Sequence, residues 1–129
     1  KIGIPSGIKS AGNPRPKAVE AYYGGYSVEL AIANLNQIEQ ILNGAGGKGL
    51  DDNLEALDAG DLSDEIQTHI DEAQSALEQL SDPLSQQIED NNDPVLTSFE
   101  KLHAIVSLLK VDMTSTLGIQ ITYSDNDGD

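Results

Sequence analysis

Thirteen residues near the N-terminus hold the densest set of side chains able to do chemistry: Arg15, Tyr22, Tyr23, Tyr26 and Ser27. Arginine supplies a permanent planar cation, and each tyrosine joins an apolar ring to a hydroxyl that donates or accepts. Gly24 and Gly25 lie among them and let backbone or ligand come close. Such a cluster suits either the rim of a ligand site or an interface between domains, and residue type alone leaves both open.

Other groupings are sparser. His69 and Glu72 form an His-x-x-Glu pair whose spacing puts both on one helix face, where a metal ion could bind. Two ligands do not complete a site, and the same spacing suits a surface histidine at a helix seam. His103, beside Leu102, reads as a boundary residue. Asp125-Asn126-Asp127-Gly128-Asp129 resembles part of a calcium loop. Aligning Gly128 with that loop's glycine puts Tyr123 where the first aspartate belongs, and the string stops before the bidentate glutamate, so a polar terminus is the better reading. Lys110 and Asp112 interrupt an apolar stretch and belong either on an exposed side or, for Asp112, at a polar interface with another domain. No serine, histidine and carboxylate are brought together, and no glycine loop links a strand to a helix to cradle phosphate. No catalytic or metal residue is therefore assigned.

Helices must position these groups. The segment 93–117 is the expected organiser: Asp93 and Pro94 suit a helix start, and Val95, Phe99, Leu102, Val106, Leu109 and Met113 recur in steps of four and three. Leu96, Ile105 and Leu108 widen that stripe, so this helix should meet more than one neighbour, and Gly118 should end it. A second main helix should follow a Ser27 cap and carry Val28, Ala31, Ile32, Leu35, Ile38, Ile41 and Leu42, with Gly44 as its stop. A third starts near Ser63 and places Ile66, Ile70, Ala73, Leu77 and Leu80 on one face, until Ser81-Asp82-Pro83 ends it. Short helices are expected at 17–23, 50–57 and 84–89. Ile2 and Ile4 alternate like a strand, as do residues 119–123, so the spacing predicts a small two-stranded ribbon that pairs the termini. The expected fold is all-α, a bundle of three main helices with short ones and that ribbon.

Bulk properties narrow the function classes. The 129 residues fit one domain, and a chain with one Phe, four Tyr and no Trp must build its core from Leu, Ile, Val and Ala. With 22 acidic against 7 basic residues the net charge is −15, which repels nucleic acid and tolerates cations. No basic residue lies between Lys48 and Lys101, so the middle carries an acidic shell that keeps the chain soluble. The lack of cysteine removes disulfides and thiolate chemistry without fixing a compartment. No apolar run approaches the roughly 20 residues of a membrane span. Starting at Lys1 inside an alternating pattern, the chain reads as a piece of a longer protein.

Two strings carry a family resemblance. Asn13-Pro14-Arg15-Pro16 precedes Ala21-Tyr22-Tyr23-Gly24-Gly25-Tyr26-Ser27, and Leu109-Lys110-Val111-Asp112 precedes Leu117-Gly118-Ile119-Gln120-Ile121-Thr122-Tyr123-Ser124-Asp125-Asn126-Asp127-Gly128-Asp129. Together they resemble the C-terminal half of imelysin-like proteins, over nearly the whole chain. The resemblance implies an all-helical protein of two bundle-like halves, exported to the bacterial periplasm or outer membrane, as a lipoprotein for instance. It also implies a link to iron or haem uptake, with binding between the halves. The alternative it implies is a metal-dependent peptidase, of which this stretch would be a non-catalytic part. Iron or another divalent metal is the implied cargo or cofactor of the full-length protein, and the N-terminal half the implied partner. The family's Gly-x-His-x-x-Glu motif belongs to that other half. Gln67 stands where its glycine should be, so His69 and Glu72 inherit no ligand role. Arg15, Tyr26, Ser27 and Asp112 are the positions the resemblance offers as one wall of an inter-domain site.

Overall fold

The computed structural model describes residues 2–120, and these are all-helical. The main α-helices are α1 (Ser27–Leu42), α2 (Leu50–Ala56), α3 (Gly60–Leu77), α4 (Leu84–Asp90) and α5 (Asp93–Ser107). α5 continues without a break through a π-helical segment, Leu108–Met113, and a final turn, Thr114–Leu117, so helix spans the whole of 93–117. Gly118 then takes the left-handed conformation at φ 64° that a glycine stop allows. α3 begins earlier than expected, at Gly60, and residues 17–23 form a short 3-10 turn and irregular bends in place of a helix.

The hub is α3. It packs against α1, α2 and α5, and its Ile66, Ile70, Ala73 and Leu77 are all buried. Contacts along its length fix directions. Asp82, just past its end, meets the start of α1, and Gln67 meets Glu39 further along. Ser98 Oγ donates to Ala76 O while Leu109 and Met113 lie near Ile70. α1 and α5 therefore both run antiparallel to α3 and parallel to each other. On α5 the buried positions are Val95, Ser98 and Ile105, whereas Val106 of the expected stripe is exposed and Phe99, Leu102, Leu109 and Met113 are only half-buried. The helix presents one flank to α3 and leaves the other open.

The predicted ribbon is not formed by the N-terminal segment, and the described residues contain no strand. Residues 2–15 curl back on themselves: the carbonyls of Ile2, Gly3, Ile4 and Pro5 accept from the amides of Ser6, Lys9, Gly7 and Arg15. Those acceptors are then not free for a strand partner. Ile2 is buried in the core, Gly3 lies against the Phe99 ring, and Asn92 Nδ2 ties Ser6 O to the turn before α5 at 2.8 Å. At the other end Ile119 N donates to Thr114 O, which continues the helical stop, and residues 121–129 lie outside the described residues.

Candidate functional site

The tyrosine turn is fixed from both ends. Buried Val19 anchors its start, and Gly25 N donates to Ala21 O at 2.8 Å to close the loop. Ser27, 7% exposed, was expected to cap α1 with its hydroxyl; instead its Oγ accepts from Ala21 N at 3.3 Å and pins the loop to the helix. The cap comes from 54 residues away. The Asp82 carboxylate accepts from Val28 N at 3.0 and 3.1 Å and from Glu29 N at 3.3 Å, and also from Leu84 N at 3.2 Å. One negative side chain thus serves the amide ends of both α1 and α4, where the helix dipoles favour it.

Aromatic surface results. Tyr22 is half-buried and its ring meets that of Tyr23 edge-on, with centroids 5.2 Å apart. Tyr23 is fully exposed and Tyr26 is 47% exposed. Gly24 lies flat against the Tyr26 ring, where a Cβ would collide with it, so this glycine sets the ring's position. Arg15 is exposed; its backbone N donates to Pro5 O and its carbonyl accepts from Ala18 N, which hold it at the head of the 3-10 turn Pro16–Ala18. That turn packs on α4, which Asp82 joins to α1, so Arg15, Tyr22, Tyr23, Tyr26 and Ser27 belong to one end of the molecule.

Asp112 does not join them. It is exposed in the π-helical segment and, with Glu65, Ser115 and Thr116, lines a shallow polar hollow beside Leu62. Leu62 and Leu77 lie near opposite ends of α3, separated by about 22 Å of helix at 1.5 Å per residue. The single wall expected of Arg15, Tyr26, Ser27 and Asp112 is therefore divided between two ends of the domain. Thr114 and Thr116 hydroxyls donate to the carbonyls of Lys110 and Asp112 at 2.7 and 2.8 Å, covering acceptors next to the irregular turn.

The His-x-x-Glu pair lies on the α3–α5 side of the molecule, where Glu72 lines an open groove between those two helices. Glu72 Oε2 stands 2.9 Å from Lys101 Nζ, and His69 Nδ1 reaches the same oxygen at 3.4 Å without hydrogen-bond alignment. Lys101, by donating to Glu72 and by its charge, lowers the Glu72 pKa below the ordinary glutamate value of 4.5. The pair thus joins α3 to α5 as an ion pair. Among the described residues no three His, Cys, Asp or Glu side chains are grouped as metal ligands. The described residues therefore do not by themselves fit a resident metal, and no step through one is derived. Asp82 and Lys101 carry no signal in the sequence for these roles, because their partners are remote in the chain. The aspartate before Pro83 signals a helix boundary but not which helix it caps.

An all-helical domain with an exposed aromatic and cationic turn at one end is the class that this fold and site define. The imelysin family model matches residues 1–109, most of the chain, and the chain belongs to the imelysin family. That match includes the string from Asn13 to Ser27 and stops before the closing Leu117–Asp129 string. Comparison with curated proteins and with solved structures gives no significant match. No helix among the described residues is long and apolar enough to cross a membrane.

Proposed function

We propose that this domain is the C-terminal half of an exported iron-uptake protein of the bacterial periplasm or outer membrane, and that its tyrosine turn forms one face of a site completed by the N-terminal half. The observation that carries this reading is the deliberate exposure of aromatic surface. A short turn pinned by Ser27 to a helix that Asp82 caps presents Tyr23 in full and Tyr26 by half. Phenol oxygens are hard donors of the kind ferric iron takes, and the Arg15 guanidinium suits a carboxylate of a chelate or a haem propionate. Family membership supports the same reading. Iron is cargo here, met at a surface, and the domain contributes binding and orientation.

The test is titration of the full-length protein with ferric iron and separately with haem, followed by absorbance. Arg15→Ala and Tyr26→Phe should each weaken one of the two ligands. Unchanged affinity for both ligands in both variants removes these residues from the site.

A further inference from the structure

The connection between α1 and α2 holds the chain's one Asn-Gly step, Asn43-Gly44. Asparagine before glycine is chemically labile, because the next peptide nitrogen attacks the side-chain amide and glycine puts no side chain in the way. Asn34, Asn36 and Asn53 are each followed by a larger residue and sit inside α1 or α2, where the helix holds the backbone. Asn43 lies just past the end of α1 and is exposed. The fold also demands the glycine. Gly44 has φ 68°, and a Cβ on it would lie 2.5 Å from Gly49 N, so no other residue replaces it without strain.

The resting turn restrains the reaction. Asn43 Oδ1 accepts from Ala45 N at 3.2 Å, and at ψ 10° the Gly44 nitrogen is turned away from the side-chain carbon it would attack. Attack waits for the turn to open, and residues 45–48 are all exposed, so opening uncovers little buried surface there. Packing then decides what the product does. Gly49 is buried, and a Cβ on it would collide with Leu42 O and Gly44 N. The loop thus crosses itself backbone on backbone and has no slack for an extra main-chain atom.

We propose that Asn43 is a site of spontaneous deamidation whose isoaspartyl product opens the α1–α2 connection. The Gly44 nitrogen gives its proton to solvent base and bonds to Asn43 Cγ. The Cγ–Nδ2 bond breaks, and the departing nitrogen takes a proton from water and leaves as ammonia, which closes a succinimide ring. Water then opens that ring at one of its two carbonyls. Opening at Cγ gives aspartate, whose carboxylate still accepts from Ala45 N. Opening at the main-chain carbonyl gives isoaspartate: the chain now runs through Cγ, longer by an atom, and a free carboxylate stands at the C-terminal end of α1, where the helix dipole opposes it. The chain therefore ages from a closed loop to one that is open to cleavage after Lys48. Neither the tyrosine turn nor iron takes part, so this stands or falls independently of the uptake reading.

Incubation of the intact chain in mildly alkaline buffer, followed by peptide mass spectrometry, tests it. Asn43 should gain a single mass unit as its amide becomes a carboxyl, and isoaspartyl methyltransferase should label the same peptide, while Asn34, Asn36 and Asn53 stay unchanged. Chain unfolded in urea should react about tenfold faster at Asn43, since the folded turn must first give up the Ala45 hydrogen bond. Brief trypsin treatment should cut the aged chain after Lys48 about tenfold faster than the fresh one. Asn43→Gln should stay uncut with age, because its longer side chain closes a less favourable ring, and freshly made Asn43→Asp should be cut no faster than the fresh parent. The proposal is overturned if Asn43 gains no mass, if the helical asparagines react as fast, or if folded and unfolded chains react alike. It also falls if isoaspartyl chain is cut after Lys48 no faster than fresh chain, or if Asn43→Gln becomes cleavable with age at the parent's rate.

Discussion

The two flanks of α5 are built from similar aliphatic residues and end in opposite environments. Against α3, Val95, Ser98 and Ile105 are 0–2% exposed, Ser98 Oγ donates across the interface to Ala76 O, and Lys101 pairs with Glu72. Toward α1, Val106 stays 42% exposed and Phe99, Leu102 and Met113 border an open channel. A helical stripe therefore has two separable properties. Periodicity decides which side chains share a face, and the rest of the chain decides whether that face is covered.

The largest break of this contrast should come from matched truncations on the two flanks. Ile105→Ala is expected to cost about 2–4 kcal/mol, because a fully enclosed site cannot collapse around the loss, whereas Val106→Ala should stay within about 0.5 kcal/mol in urea unfolding. Equal losses would show that the open flank is buried in solution. Asp82→Ala comes next, at about 1–2 kcal/mol, since it leaves the first amides of α1 without their acceptor; Asp82→Asn should lose less. Because Asp82 holds α1 in place on α3, the alanine variant should also shift the NMR signals of Ile38 and Val106 across the channel. If they stay fixed, the channel's width does not depend on that cap. Ser98→Ala should cost about 1 kcal/mol by removing a buried hydroxyl that serves Ala76 O and Pro94 O.

The smallest effect belongs to the exposed ion pair that bridges α3 and α5. Glu72 has its pKa lowered in the fold by Lys101, so the pair's contribution is present above the ordinary value of 4.5 and fades as pH falls through the lowered folded value. With both side chains about two-fifths exposed, at 41% and 42%, solvent screening keeps that contribution small. Lys101→Met should move the Glu72 carboxyl titration upward in NMR, and the small stability gap between variant and parent should close in acid. A midpoint that does not rise would mean that Lys101 is not what holds it down.

Much of the helical frame was legible from the chain itself. The run from Asp93 to Leu117 with its glycine stop, the helix from Ser27 to Leu42 and the break at Pro83 each follow from spacing, caps and proline chemistry that act within a few residues. What escaped depends on distance or on competition. Ser27 looked like a cap, yet Asp82 took that role from the far end of α3. Ile2 and Ile4 alternated like a strand, but the turn amides of Ser6, Gly7, Lys9 and Arg15 claimed the nearby carbonyls first. The tyrosine turn was visible as a cluster of types, whereas its separation from Asp112 required knowing which ends of α3 they occupy.

The π-helical segment Leu108–Met113 has a consequence for phase. A π turn accommodates about one more residue than an α turn, so everything beyond it is rotated by roughly 100° relative to a regular continuation of α5. The last turn, Thr114–Leu117, lies against α2, and its orientation there depends on that offset. The segment therefore acts as a gear tooth between two halves of one helix. It lets the stretch before it answer to α3 and the open channel, while the stretch after it answers to α2.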